Sequence, residues 1–150
     1  ELTSTLGIRP PSVIIVGSSL GSGPATQLAT EVGAAALVLE TPFTSVPRLA
    51  RVLYPLLPTQ LLLRTRFDNL AKMADVGLPV LILHGDRDEV IPAAMGRALF
   101  DAANEPKTWH LLRGGHNDFD VVSEPRYVAA WREFVAALPG ARQSTAFERR

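Results

Sequence analysis

The chain has 150 residues, 47% of them apolar, and its 15 Lys plus Arg balance 15 Asp plus Glu for a formal net charge of 0. This length predicts one domain, and the missing basic field argues against nucleic acid as a partner. With no cysteine, disulfides, thiolate metal sites and a cysteine nucleophile are excluded; the redox compartment stays open, with the cytoplasm as the favoured expectation.

Taken in order, VIIV at 13–16 reads as a buried strand: short, β-branched and bounded by turn residues. Residues 20–32 read as a helix, with Pro24 in its first turn and Gly33 as its stop. AALVL at 35–39 is a second apolar strand, and 45–53 a short helix capped by Ser45 with Pro47 in its first turn. From Tyr54 to Asn69 the pattern is irregular, and Asp68 caps a short helix through residue 75. PVLILH at 79–84 is the third strand, 92–103 a helix, and KTWHLL at 107–112 the fourth strand. Ser123 caps a last helix that Pro139-Gly140 ends, and 141–150 are expected to form a loose tail. The longest apolar stretch, 49–63, is broken by Pro55 and Pro58. It falls short of the roughly 20 residues of a membrane helix. Strands alternating with helices predict an α/β fold: a parallel sheet of about four strands with helices on its faces, in a single domain over 1–140.

Gly17, Gly21 and Gly23 follow the first strand and open a helix. One reading is a phosphate cradle at a helix N-terminus, with Glu40 ending the next strand where a ribose-binding acid would sit, as in short-chain dehydrogenases. Against it, Tyr54 and Tyr127 lack a lysine four residues on; Pro58 and Trp131 stand there. The other reading takes Gly17-Ser18-Ser19-Leu20-Gly21 as G-x-S-x-G. The central serine then sits on a sharp strand-to-helix turn that admits only small neighbours at Gly17 and Gly21. Ser19 Oγ is lifted clear, and the Leu20 N–H faces a developing oxyanion. A hydroxyl needs a base, and the base an orienting acid. In such a sheet they are sought at the carboxyl ends of later strands. HGDRDEVIP at 84–92 follows strand three, and GGHND at 114–118 follows strand four.

These stretches together, GSSLGSGPA, ETPFTSV, FDNLAKM, PVLILHGDRDEVIP and GGHNDF, resemble the alpha/beta-hydrolase superfamily over about residues 7–138. The similarity is to its small serine esterases, monoacylglycerol-lipase-like enzymes and acyl-protein thioesterases. The resemblance implies the C-terminal half of that fold. It implies Ser19 as nucleophile, His116 as base and Asp88 as acid, with Asp86 and then Glu89 as competitors for the acid role. It implies carboxylic ester or thioester hydrolysis through an acyl-enzyme, without a cofactor or metal. It also implies a cap-like segment over about 44–76, whose leucines (Leu49, Leu53, Leu56, Leu57, Leu61 to Leu63) suit an apolar acyl group or simply cover the sheet. Any exposed part is open to a membrane or a partner.

Other candidates have structural readings. His84 closes a strand. The alternation of His84, Asp86 and Asp88 does not survive a loop as a ligand set. Asp86 shapes a turn, His110 faces the sheet, Asn117 and Asp118 fix the histidine loop or are solvated, and Trp131 with Phe134 is core. Only about 12 residues precede the first strand, where the family has further strands and a second oxyanion donor. The expectation is a piece of a longer enzyme, an assembly module that keeps the triad without the oxyanion hole, a homo-oligomer paired through the first strand's edge, or a minimal sheet.

Overall fold

The computed structural model describes residues 12–56 and 67–139. The tail at 141–150 and the cap leucines at 57 and 61–63 lie outside the described residues. Strands β1 (Ile14–Ser18), β2 (Ala36–Glu40), β3 (Val80–Gly85) and β4 (Lys107–Leu112) form one sheet in the order β1-β2-β3-β4. All three pairings are parallel, with Ile14 opposite Ala36, Leu37 opposite Val80 and Val80 opposite Lys107.

Between them run α1 (Ser22–Glu31), α2 (Val46–Leu53), α3 (Asn69–Met73) and α4 (Ala93–Ala102), followed after β4 by α5 (Phe119–Val122) and α6 (Glu124–Ala137). Caps explain two of the starts. Ser45 Oγ accepts the Arg48 N–H at 3.4 Å, and Asp68 Oδ1 accepts the Ala71 N–H at 3.2 Å. The short α5 has only four residues and carries no periodic signal of its own.

Strand alternation divides the core into two layers. Leu37, Leu39, Val80 and Ile82 face one side, where Ala25 and Ala29 of α1, Met73 of α3 and Leu99 of α4 cover them. Ala36, Val38, Leu81 and Leu83 face the other, against Phe119 and against Ala130 and Phe134 of α6. Strands laid down in sequence order with crossovers of one hand put α1, α3 and α4 on one side. The second face therefore depends on the helices after β4.

One expectation changes here. β1 is not buried along its length: Val16 is 51% exposed, because β1 ends the described sheet and only Ile14 of that strand packs against the α6 cluster. The segment 44–76 also divides. Met73 and Val76 are fully buried in the core, whereas Val52, Leu53, Tyr54 and Leu56 are exposed. Among the described residues no helix is long and apolar enough to cross a membrane.

Candidate active site

The three residues singled out in the sequence meet at the carboxyl ends of the strands. Ser19 stands directly after β1 with φ of 51°, a left-handed backbone that a serine rarely adopts. Two contacts hold it there. The buried Ser22 hydroxyl donates to the Ser19 carbonyl at 2.7 Å. The fully buried Asn69 sends Nδ2 to the Phe43 carbonyl at 2.9 Å and to Ser22 Oγ at 3.5 Å. Asn69 thus reaches Ser22, the residue that holds the Ser19 carbonyl, from 47 positions away. No spacing in the sequence announces it.

The glycines divide the work differently from the expectation. A Cβ on Gly17 would lie 2.5 Å from the Ala25 Cβ and 2.7 Å from the Gly21 carbonyl oxygen, so Gly17 is demanded. A Cβ on Gly21 would meet nothing within 4 Å, and its φ is an ordinary −62°. The steric requirement predicted there is corrected. It falls instead on Gly23, whose Cβ would strike the Phe67 ring at 2.8 Å.

Asp88 and His116 come from loops after β3 and β4. Asp86 Oδ1 accepts the Gly114 N–H at 3.0 Å and so ties the two loops together. Asp118 Oδ1 accepts the Gly115 N–H and fixes the loop that bears His116. Asp86 is therefore the loop tie and not the histidine's partner, while Glu89 and Asn117 are exposed. His116 Nδ1 lies 2.8 Å from Asp88 Oδ2, and its Nε2 lies 2.8 Å from Ser19 Oγ. A carboxylate only accepts, so Nδ1 carries the proton and Nε2 presents its lone pair to the hydroxyl. The Asp88 side chain is fully buried, and its Oδ1 accepts the Val90 and Ile91 N–H groups at 2.9 and 2.7 Å.

The remaining candidates have other contacts. His84 is fully buried, with Nε2 2.8 Å from the Ile91 carbonyl oxygen and 3.3 Å from Asp88 Oδ2. Burial, the largest influence, holds its pKa below the ordinary 6.5. Glu40, the acid of the phosphate reading, accepts the Tyr127 hydroxyl at 2.7 Å. Burial first, and then that bond, push the Tyr127 pKa up to about 12. His110 is a half-buried β4 residue opposite Leu83. Among the described residues no three His, Asp or Glu side chains converge as metal ligands. An open cleft of about 400 Å³ lies beside the imidazole, lined by His116, Val90, Glu89, Asn117 and Val122 among others.

No protein-family model matches the chain. An uncharacterized protein of Mycobacterium tuberculosis is 36% identical over 135 residues, which are 89% of this chain and 48% of that protein. The human alpha/beta hydrolase domain-containing protein 17B is 36% identical over 136 residues, 90% of this chain and 45% of that protein. The chain thus spans about half the length of the curated relatives it matches. Among solved structures, the Pyrococcus furiosus esterase Pf2001 superposes with a TM-score of 0.72 at 17% identity, covering 91% of this chain and 58% of that one. A Paleococcus ferrophilus monoacylglycerol lipase gives 0.64 at 20%, covering 90% and 71%. The chain therefore carries part of the alpha/beta-hydrolase fold and is related, over about nine tenths of its length, to proteins that bear that name.

Proposed function

We propose that the chain carries the catalytic half of a serine hydrolase that cleaves carboxylic esters or thioesters. The observation that carries this is the relay Ser19 Oγ, His116 Nε2 and Nδ1, Asp88 Oδ2, with both links at 2.8 Å and Ser19 held in a left-handed turn. His116 takes the Ser19 proton as Oγ bonds to the acyl carbon. The tetrahedral oxyanion faces the Leu20 N–H. As the carbon–oxygen or carbon–sulfur bond breaks, His116 Nε2 returns the proton to the leaving group. Water then adds to the acyl-enzyme by the same route, releasing the acid and freeing Ser19. Asp88 holds the tautomer and stabilises the imidazolium. No cofactor takes part in these steps.

An apolar acyl group is the reading favoured by the surface. Leu20, Val90 and Val122 are 65%, 42% and 56% exposed beside triad residues, and Val52, Leu53, Tyr54 and Leu56 add apolar surface on and after α2. Two structural relatives, an esterase and a monoacylglycerol lipase, agree with an ester as substrate.

A fluorophosphonate probe tests the proposal. Labelling of the chain that Ser19→Ala abolishes supports it. A folded chain that takes no label overturns it and favours the assembly-module reading, which the half-length match to the relatives suggests. Where turnover of a p-nitrophenyl ester is measurable, His116→Ala lowers it by about 10³-fold or more, because triad members act as a unit. Unchanged turnover removes His116 from the mechanism.

A further inference from the structure

Two imidazoles converge on one carboxylate oxygen. His116 Nδ1 lies 2.8 Å from Asp88 Oδ2, and His84 Nε2 lies 3.3 Å from the same atom. His84 Nε2 also lies 2.8 Å from the Ile91 carbonyl oxygen. Both neighbours of Nε2 only accept, so that nitrogen carries the proton, bonded to the Ile91 carbonyl oxygen with the carboxylate oxygen close beside it. Its other nitrogen, Nδ1, is buried and without a hydrogen-bond partner. A Cβ on Gly96 of α4 would approach Nδ1 to 2.5 Å, so the helix is shaped to admit the ring in this orientation. The Trp109 ring stands 6.2 Å away, centroid to centroid. An imidazole used only to fill the core would not need Nε2 aimed at the two atoms that define the acid's loop.

We propose that His84 is a positioning residue for Asp88, resting on the hydrolase reading above. It donates one N–H to the Ile91 carbonyl and to Asp88 Oδ2, fixing the carboxylate so that Oδ2 faces His116. The arrangement is a closed set: Oδ1 is held by the Val90 and Ile91 N–H groups, and Oδ2 by the two histidines. Three hydrogen bonds and the His84 N–H at 3.3 Å leave the carboxylate one orientation. Without His84, Oδ2 keeps only the bond to His116, and Ile91 loses the tie from β3. The His116 Nδ1–H then exchanges faster with water, and the base is presented less often.

His84→Phe keeps a ring of similar volume and removes the donor. His84→Gln places an amide N–H near the position of Nε2. Two readouts separate a positioning role from a structural one. The first is the downfield proton resonance of the His116 Nδ1–H in the chain itself, which requires no turnover. The second is the rate of fluorophosphonate labelling of Ser19. The expectation is that H84F, folded by circular dichroism, loses or broadens the resonance and labels about 10-fold more slowly. H84Q should recover both to within about 3-fold of the native rate. If H84F does not fold, His84→Asn, whose shorter amide stops before Asp88, takes its place under the same two readouts. A folded H84F or H84N with an unmoved resonance overturns the proposal, whatever its labelling rate. Absence of labelling in the native chain overturns the hydrolase reading instead, and the resonance comparison still decides the role of His84.

Discussion

At Gly17 one hydrogen atom separates a working turn from a collision. Its pro-Cβ position lies 2.5 Å from the Ala25 Cβ and 2.9 Å from the Ser22 Cα, both on the first helix. Neither can swing away as a flexible side-chain end would. Gly17→Ala is therefore expected to destabilise the chain by about 1–3 kcal/mol, read as a lower urea midpoint at unchanged slope. Gly21→Ala, with open space at its Cβ and φ of −62°, should leave the midpoint within about 0.5 kcal/mol. The reverse order would show the elbow glycines misassigned. His84 makes a prediction of opposite chemistry. Burial lowers its folded pKa below 6.5. Below that pH the unfolded chain binds a proton that the native chain resists, so the unfolded state gains. This contribution to stability is fully present above about pH 6.5 and is lost as pH falls toward the folded pKa. His84→Gln should flatten that acid slope. An equal loss of stability on acidification in both proteins would place it in other groups.

Elements respond to which face they cover. The first face is roofed by α1, α3 and α4 together, so losing one contact there leaves others. On the second face α6 supplies most of the cover through Ala130 and Phe134, beside Phe119. Phe134 is 6% exposed and meets the face built from Val38, Leu81 and Leu83. Phe134→Ala is expected to cost about 3–5 kcal/mol, enough to unfold a marginal domain of this size. A loss under 1 kcal/mol by chemical denaturation would mean that the second face is not a load shared by α6. Most of these elements were readable in advance. The β-branched and apolar runs at 79–84 and 35–39 are strands in both accounts, and Ser45 and Asp68 cap the helices assigned to them. The four-residue α5 was not. A single turn has no period to detect, and Phe119 is placed by contact with the Tyr127 ring at 6.1 Å.

For the whole molecule, the order β1-β2-β3-β4 leaves β1 at one end of the described sheet, with Val16 51% exposed. A strand edge with an apolar residue in its middle is a surface for pairing with another strand. The expected consequence is self-association of this chain through β1. Sedimentation should show a dimer that Val16→Glu converts to monomer. A monodisperse monomer at the highest soluble concentration refutes the pairing. The triad lies at the same end of the sheet as the strand termini, so a variant confined to Val16 should leave Ser19 labelling intact.

Local chemistry was enough to mark the strands, the capped helices, and three side chains worth testing. G-x-S-x-G, the acid-rich loop and the glycine-flanked histidine are short-range patterns, and short-range patterns survive in a linear string. What the string could not hold is contact between distant positions. Asn69 reaching Ser22, Asp86 binding the Gly114 N–H, Tyr127 occupying Glu40 and His84 sharing Asp88 with His116 join segments with no common period. The same holds for the exposure of Val16. Each depends on which surfaces the crossovers bring together. That is fixed by the burial of two apolar sheet faces, a property of the assembled layers and of no single residue.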